Sequence, residues 1–171
     1  MEEEKLGGHN VRWLSGLVFA LIGADNIPIM ISYVDHQLYI GEQADAESPP
    51  PFISAVFWTA LEVPLSPPPN IVFSRLPLKE YTEPDIIDLE MGVDWLVRHL
   101  PTHHILVACR VGFGRSPSLI IAYLCCRHGL SFQEAQALVT QKRPGTTPLP
   151  HLARVIKQLK MKSPALSPPN R

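Results

Sequence analysis

The residues best suited to chemistry lie together in one short stretch that follows a predicted strand and leads into a predicted helix. Residues 107–117 read VACRVGFGRSP. The N–H groups of such a loop can converge on one point, and the N-terminus of the following helix adds partial positive charge. Gly112 and Gly114 allow the backbone to turn tightly and to approach a ligand closely. The stretch is therefore a candidate anion site.

Two side chains of this stretch, Cys109 and Arg115, are suited to the hydrolysis of phosphate esters. The planar guanidinium of Arg115 can bind two phosphate oxygens at once. The loop amides and Arg115 favour the thiolate form of Cys109 over the thiol. A thiolate beneath a bound phosphate can displace the leaving oxygen in line, and water then hydrolyses the thiophosphate intermediate. The alternatives are a buried, inert Cys109 and an Arg115 that pairs with a structural carboxylate.

Two other glycine-rich loops are excluded by individual residues. A P-loop nucleotide site needs Lys after its last glycine, whereas Arg115 follows Gly114 here. A dinucleotide-binding fingerprint needs a third glycine at the position of Pro117. Proline at this position instead favours the start of a helix, for which Ser116 is the predicted N-cap.

Predicted strands and helices surround this stretch and must position it. An apolar stripe at three- and four-residue steps predicts a helix that Thr82 caps and Pro101 ends. The helix after the loop is apolar nearly all round, which predicts a central position. Ser131 and Glu134 form the capping box of a third predicted helix, and a fourth begins at Thr147. Predicted strands cover residues 29–34, 37–40, 55–60, 71–76 and 104–108.

Length and composition are typical of one globular domain. The chain has 171 residues, of which 46% are hydrophobic, so it can bury a sizeable core. A formal net charge of −1 excludes a broad basic surface for nucleic acid. Three cysteines, two of them adjacent, do not make a disulfide framework. We therefore expect a reduced, cytoplasmic protein that does not bind nucleic acid.

The N-terminal segment, residues 1–35, is apolar and has two interpretations. The first is a helix over residues 11–23 that packs on the core. The second is contact with a membrane surface through residues 11–34, since Trp13 and Phe19 suit an interface. The longest apolar run of this segment has 11 residues, fewer than the about 20 that a membrane-spanning helix needs.

The pattern Cys109-x₅-Arg115-Ser116 resembles the signature of the cysteine-dependent protein tyrosine phosphatases. The sequence SPSLIIAYL that follows Arg115 most resembles the dual-specificity branch of that superfamily. The likeness is weak over residues 38–41 and clear over residues 76–159, and it does not extend to the first 35 residues.

The resemblance implies an α/β fold with a central mixed, mostly parallel sheet flanked by helices. In that fold the C-x₅-R loop joins a buried strand to a central helix. The phosphatase-like domain would cover residues 36–162 and would need neither a metal nor a cofactor. Residues 163–171 after it are predicted to be a disordered tail.

The resemblance also implies a role for each residue of the loop. Cys109 would be the nucleophile. Arg115 would clamp the phosphate and stabilise the transition state. Ser116 would steady the thiolate as the intermediate breaks down. The phosphate would be held by the backbone amides of Arg110, Val111, Gly112, Phe113, Gly114 and Arg115.

Two departures from the family pattern bear on activity. Ala108 stands where the family has His, so we expect Cys109 to be a weaker nucleophile without losing its reactivity. The family's general acid is an Asp on a loop well before the cysteine. Here Glu80, 29 residues before Cys109, is the first candidate and Asp85 is the second. Asp85 would equally suit the first turn of a helix, and the third alternative is that the protein has no working acid.

The sequence therefore predicts a phosphatase that acts on phosphotyrosine, and also on phosphoserine or phosphothreonine, through a cysteinyl-phosphate intermediate. Its substrate would be a phosphorylated protein or a small phosphomonoester. One alternative is a phosphate-binding module with little turnover, because of Ala108 and Glu80. Another is a lipid phosphatase at a membrane, although the loop lacks the additional lysines expected for an inositol head group.

Overall fold

The computed structural model describes residues 31–60 and 62–166, together with the backbone of three further strands within the first 20 residues. The described strands form one sheet in the order β1-β2-β3-β4-β5-β8-β6-β7. Their bounds are β1 Glu2–Leu6, β2 His9–Leu14, β3 Leu17–Ala20, β4 Ile31–Asp35, β5 Leu38–Gly41, β6 Ala55–Trp58, β7 Val72–Arg75 and β8 Ile105–Ala108. The helices are α1 Gln43–Glu47, α2 Ile86–His99, α3 Arg115–Arg127, α4 Phe132–Lys142 and α5 Leu152–Lys162, followed by a 3₁₀ turn at Pro164–Leu166.

One half of the sheet is the parallel group β5-β8-β6-β7, which β4 extends with an antiparallel pairing to β5. β8 pairs with a parallel strand on both sides, and each of its four residues is buried. Such a strand reads as a continuous apolar run because helices or loops cover both faces of the sheet. The predicted α/β fold with a mixed, mostly parallel sheet is confirmed over β4–β8, where three of the four pairings are parallel, and the predicted strands that correspond to β4–β8 are confirmed as well.

The two faces of the sheet carry cores of different size. Ile105 and Val107 of β8 point into the larger core, which the apolar sides of α2, α3, α4 and α5 complete. Leu106 and Ala108 point the other way, into a smaller core that includes Ala46 of α1 and Cys109. The alternation ends with β8, because Ala108 and Cys109 both lie in the smaller core, whereas α3 packs into the larger core.

The predicted helix over residues 11–23 is wrong over the parts that the structure describes. Residues 9–14 and 17–20 are strands β2 and β3, which pair antiparallel, and β3 extends the sheet from β4. Val and aromatic residues are frequent in this segment and favour a strand when a sheet edge is available for pairing. Residues 15–16 and 21–30 lie outside the described residues. No helix in the described part of the chain is long and apolar enough to cross a membrane, and the membrane-surface contact stays a prediction.

The caps of α2 and α3 also differ from the prediction. Asp85, not Thr82, caps α2: its Oδ1 accepts the N–H groups of Ile87 at 2.7 Å and Asp88 at 3.4 Å. A cap must lie two or three residues before the free N–H groups, and Thr82 is too far upstream. Gly114, not Ser116, is the N-cap residue of α3, because the helix begins at Arg115 and Ser116 lies within its first turn, where its hydroxyl donates to the sulfur of Cys109.

The C-terminal helices follow the prediction with one shift. α4 begins with the predicted capping box of Ser131 and Glu134. α5 begins at Leu152 and not at Thr147, because residues 147–149 form hydrogen bonds with the loop and α3 instead of with a helix of their own. The predicted disordered tail is wrong over Pro164–Leu166, where Leu166 is buried against the larger core. Residues 167–171 lie outside the described residues.

Candidate active site

Cys109 follows the last residue of β8, at the carboxyl end of the central parallel strands. Its side chain is only 3% exposed. Two donors point at the sulfur: the N–H of Gly112 at 3.2 Å and the hydroxyl of Ser116 at 3.3 Å. The sulfur therefore lies inside the turn of the loop, below the first residues of α3. The predicted neighbourhood of Cys109 and Ser116 is present in the structure.

The loop is also held by Arg143, which no motif of the sequence predicted. The guanidinium donates from Nη2 to the carbonyl of Val111 and from Nε to that of Gly112, both at 3.3 Å. The C=O and N–H of one peptide point in opposite directions. The peptide between Val111 and Gly112 therefore offers its carbonyl to Arg143 and its N–H to the sulfur of Cys109. Arg143 turns the loop so that N–H groups face inward.

Arg143 is itself buried beneath this loop, and its guanidinium lies 5.0 Å from the centre of the Phe113 ring. Burial lowers the pKa of Arg143, while the carboxylates of Asp45 and Glu42 act in the opposite direction. In the sequence Arg143 is one of the basic residues of the C-terminal helices and stands next to Lys142 at the end of α4. Only the packing of α4 against the loop distinguishes it from the others.

Arg115 is 1% exposed and is surrounded by carboxylates. Its Nη1 donates to both oxygens of Glu62, at 2.7 and 2.6 Å. Its Nη2 has one long contact of 3.5 Å, with Oε2 of Glu80. Its Nε is buried and has no hydrogen-bond partner within the described part of the chain. The Nη1 end of the guanidinium is thus held by two short hydrogen bonds, whereas the edge formed by Nε and Nη2 has one long contact, with Glu80.

Glu62 is a second residue of this site that the sequence did not predict. It lies 53 residues before Arg115 and a few residues beyond β6. The hydrogen bond from Arg115 is the main cause that holds the pKa of Glu62 below its ordinary value. The available signal was topological: β6 and β8 are parallel neighbours, so the segments after their carboxyl ends meet at one edge of the sheet.

The structure gives the two candidates for the general acid different surroundings. Glu80 is one-third exposed and contacts Arg115. Asp85 is exposed, and its side chain is engaged by the N–H groups of the first turn of α2. Of the remaining loop residues, Arg110, Val111 and Phe113 are exposed, although one face of the Phe113 ring lies against Arg143. Among the described residues, no three His, Cys, Asp or Glu side chains lie close enough together to hold a metal ion.

A comparison of the chain with known protein families agrees with this fold and this site. The family described as "Dual specificity phosphatase, catalytic domain" matches residues 67–162, which is more than half of the chain. The chain therefore belongs to the dual specificity phosphatase family and is a protein phosphatase.

Individual relatives extend the likeness toward the N-terminus. Dual specificity protein phosphatase 1 of Arabidopsis thaliana is 28% identical over 146 residues, covering 79% of this chain and 70% of its own length. The crystal structure of human DUSP28 superposes with a TM-score of 0.69 at 21% identity, covering 81% of this chain and 98% of the other. A mouse putative dual specificity phosphatase complexed with zinc tungstate gives 0.70 at 21% identity, covering 88% and 99%.

Proposed function

We propose that the protein hydrolyses phosphotyrosine, and phosphoserine or phosphothreonine as well, through a phosphorylated Cys109. The observation that carries this proposal is the environment of one sulfur atom. Cys109 Sγ receives a main-chain N–H from Gly112 and a hydroxyl from Ser116 within the loop that Arg115 closes. Donors aimed at sulfur bind a thiolate better than a thiol, so the loop prepares the nucleophile.

In the first step the phosphate of the substrate rests on the inward N–H groups of the loop and on the guanidinium of Arg115. The sulfur of Cys109 attacks phosphorus, the S–P bond forms, and the P–O bond to the leaving group breaks. The leaving oxygen takes a proton from the carboxyl group of Glu80. Arg115 balances the charge that develops on the phosphoryl oxygens during this transfer.

In the second step water attacks the phosphorylated cysteine while Glu80, now ionised, accepts a proton from that water. The S–P bond breaks and inorganic phosphate leaves. The electron pair returns to the sulfur, where the Ser116 hydroxyl donates its hydrogen bond at 3.3 Å. Ser116 therefore stabilises the leaving thiolate in this step.

Ala108 affects the rate but does not remove the nucleophile. Its methyl group lies in the smaller core, and its carbonyl accepts the N–H and the hydroxyl of Thr59 at 2.9 and 3.0 Å. A His at this position would add a further polar group near the sulfur. The donors from Gly112 and Ser116 remain, so we expect slow turnover.

A second candidate function is phosphate binding with negligible turnover. Ala108 and Glu80 favour it, since Ala108 places no polar side chain near the sulfur and Glu80 is a Glu where the family has an Asp as its acid. The two functions differ in whether Cys109 is consumed and regenerated during a cycle.

The deciding experiment measures hydrolysis of a small aryl phosphate by the native protein and by Cys109→Ser. We expect turnover by the native protein and only uncatalysed background from Cys109→Ser. The matched control is Cys126→Ala, which removes another buried thiol on α3 and should retain turnover. Equal background from the native protein and from Cys109→Ser would contradict the proposed reaction and would favour the binding module instead.

The role of Glu80 is tested by comparing two leaving groups. Glu80→Gln should slow hydrolysis of an alkyl phosphate by about 10²-fold and that of an aryl phosphate much less, because an aryl oxide leaves without a proton. Glu83→Gln is the matched control: Glu83 is 35% exposed against 34% for Glu80, and each contacts an arginine. If Glu80→Gln slows neither substrate, Glu80 is not the acid.

A further inference from the structure

The arginines in and around the loop, Arg110, Arg115 and Arg143, differ in what binds their side chains. Arg115 is held by Glu62 and Glu80, and Arg143 is buried and donates to carbonyl groups of the loop. The side chain of Arg110 is exposed, and it forms no ion pair within the described part of the chain. One positive charge at the site is therefore left over after the fold has been built.

The backbone of Arg110 is fixed although its side chain is exposed. Arg110 follows Cys109 directly, at the end of the buried strand β8, and its carbonyl accepts the N–H of Gln43 at 3.4 Å. Adjacent Cα atoms lie about 3.8 Å apart, so this side chain starts one residue from the nucleophile. Its guanidinium therefore stays close to the phosphate site in any of its rotamers.

The electrostatics of Glu62 indicate on which side of the site the charge of Arg110 lies. The hydrogen bond from Arg115 is the largest cause that lowers the pKa of Glu62, and the charge of Arg110 adds a smaller effect in the same direction. Both oxygens of Glu62 already accept from Nη1 of Arg115. Arg110 thus lies on the side of Glu62 without being bonded to it, and its N–H groups remain available to a ligand.

We propose that Arg110 binds a second anionic group of the substrate, a carboxylate or a further phosphate next to the phosphorylated residue. The inference rests on the proposed function and deepens it, because it names substrates with an acidic neighbour as the preferred class. The phosphate that is hydrolysed lies on the loop N–H groups and Arg115. Arg110 contacts the neighbouring group only and takes no part in the chemical steps.

An arginine suits this task because its planar guanidinium donates two parallel hydrogen bonds to a carboxylate or a phosphate. Water screens such a pair at an exposed position, so its effect on binding is about two- to fivefold. Charges more than about 8 Å apart are largely screened at physiological ionic strength. Only groups close to the phosphorylated residue therefore gain from Arg110, and added salt should reduce the gain.

The contact should affect KM and not kcat. The neighbouring group keeps its charge and its place while the P–O bond breaks, so Arg110 binds it equally well in the ground state and in the transition state. An interaction of this kind lowers KM and leaves kcat unchanged. If Arg110 instead held the loop in shape, its loss would lower kcat for every substrate.

The test uses two phosphotyrosine peptides that differ only in the residues on either side of the phosphotyrosine, which are Glu in one and Gln in the other. The native protein should have a KM about two- to fivefold lower for the Glu peptide. Arg110→Gln should remove this difference, and Arg110→Glu should reverse it. Arg127→Gln, which removes an arginine at the far end of α3, is the control and should keep the native difference.

Two results would overturn the proposal. One is a preference for the Glu peptide that survives in Arg110→Gln. The other is a loss of kcat in Arg110→Gln that is equal for both peptides, with the KM ratio unchanged, because it would assign Arg110 to the structure of the loop.

Calorimetric binding to Cys109→Ser separates this inference from the proposed function, because it needs no turnover. A third peptide carries phosphoserine in place of Glu. Tighter binding of the Glu peptide than of the Gln peptide identifies a carboxylate, and tighter binding of the phosphoserine peptide alone identifies a second phosphate; both should be lost when Arg110→Gln is added. If the native protein hydrolyses no phosphate ester but this order is found, the proposed function fails and the role of Arg110 stands. Equal affinities for all three peptides overturn that role.

Discussion

Gly112 is the loop residue at which a side chain would be tolerated least. Its φ angle is +77°, a conformation that L side chains adopt only with strain. A Cβ placed there would lie 2.6 Å from Nη2 of Arg143 and 2.8 Å from the carbonyl oxygen of Gly41. The first atom belongs to the residue that turns the loop inward, and the second belongs to the backbone of β5. Neither can move without changing the site.

The expected cost of Gly112→Ala has two parts. The left-handed conformation contributes about 1–2 kcal/mol, and overpacking against a fixed backbone contributes about 1–3 kcal/mol. Two other glycines separate these parts. Gly145, with φ of +91°, would place its Cβ no closer than 3.4 Å to the Phe113 ring, so Gly145→Ala should show the strain alone. Gly114 has negative φ and a nearest atom at 3.6 Å, so Gly114→Ala should cost about 1 kcal/mol or less, as at an N-cap.

The assay is the free energy of unfolding of the three variants in denaturant, together with kcat for an aryl phosphate. We expect the loss of stability to increase from Gly114→Ala through Gly145→Ala to Gly112→Ala. Gly112→Ala should also lower kcat, because it displaces the N–H that points at the sulfur of Cys109. If Gly112→Ala destabilises the protein no more than Gly145→Ala does, the close approach between the loop, Arg143 and β5 is not as described.

Three further predictions follow from a helix cap, an ion pair and the burial of two thiols. Asp85→Ala should lower the free energy of unfolding by about 1 kcal/mol through loss of the α2 cap, with turnover unchanged; slower turnover would restore Asp85 as a catalytic acid. The pKa of Glu62 lies below its ordinary value of 4.5 in the folded protein, so the ion pair stabilises the fold fully above that pH and less as the pH falls below it. The difference in unfolding free energy between the native protein and Glu62→Gln should therefore be constant above pH 4.5 and shrink below it; a difference that is the same at all pH values would contradict the pairing. Burial raises the pKa of Cys125 to about 11 and also raises that of Cys126, so in Cys109→Ser we expect iodoacetamide to label neither thiol at neutral pH until denaturant is added; labelling of the native fold, detected as a mass increase, would refute this.

The parts of the site that the sequence predicts well are those encoded within one continuous stretch. Cys109, Gly112 and Ser116 lie within eight positions, and the strand and helix on either side determine how they meet. Glu80 could be proposed because a family pattern suggested where to look. The structure places it beside Arg115, and its role as an acid stays a prediction.

The parts that the sequence did not predict depend on how distant segments pack. Glu62 reaches Arg115 because β6 pairs with β8, and Arg143 reaches the loop because α4 ends beneath it. Neither residue stands in a local pattern that separates it from ordinary surface charges. The prediction of an N-terminal helix was wrong for a related reason. An apolar segment without a clear hydrophobic periodicity adopts the conformation of the sheet edge with which it pairs. Thr82 and Ser116 show that several residues near a helix start can serve as caps, and tertiary contacts choose among them.

The position of β8 in the sheet also determines whether the enzyme loses oxyanion binding or catalysis first when it is denatured. Amide groups of a strand that is bonded on both sides and fully buried exchange with solvent only when the whole domain opens. Cys109 is tied to that strand, whereas Glu62 and Glu80 lie on connections that are partly exposed. Mild denaturation should therefore produce a molecule that still binds an oxyanion but no longer donates a proton to the leaving group, so oxyanion inhibitors should still bind after catalysis is lost.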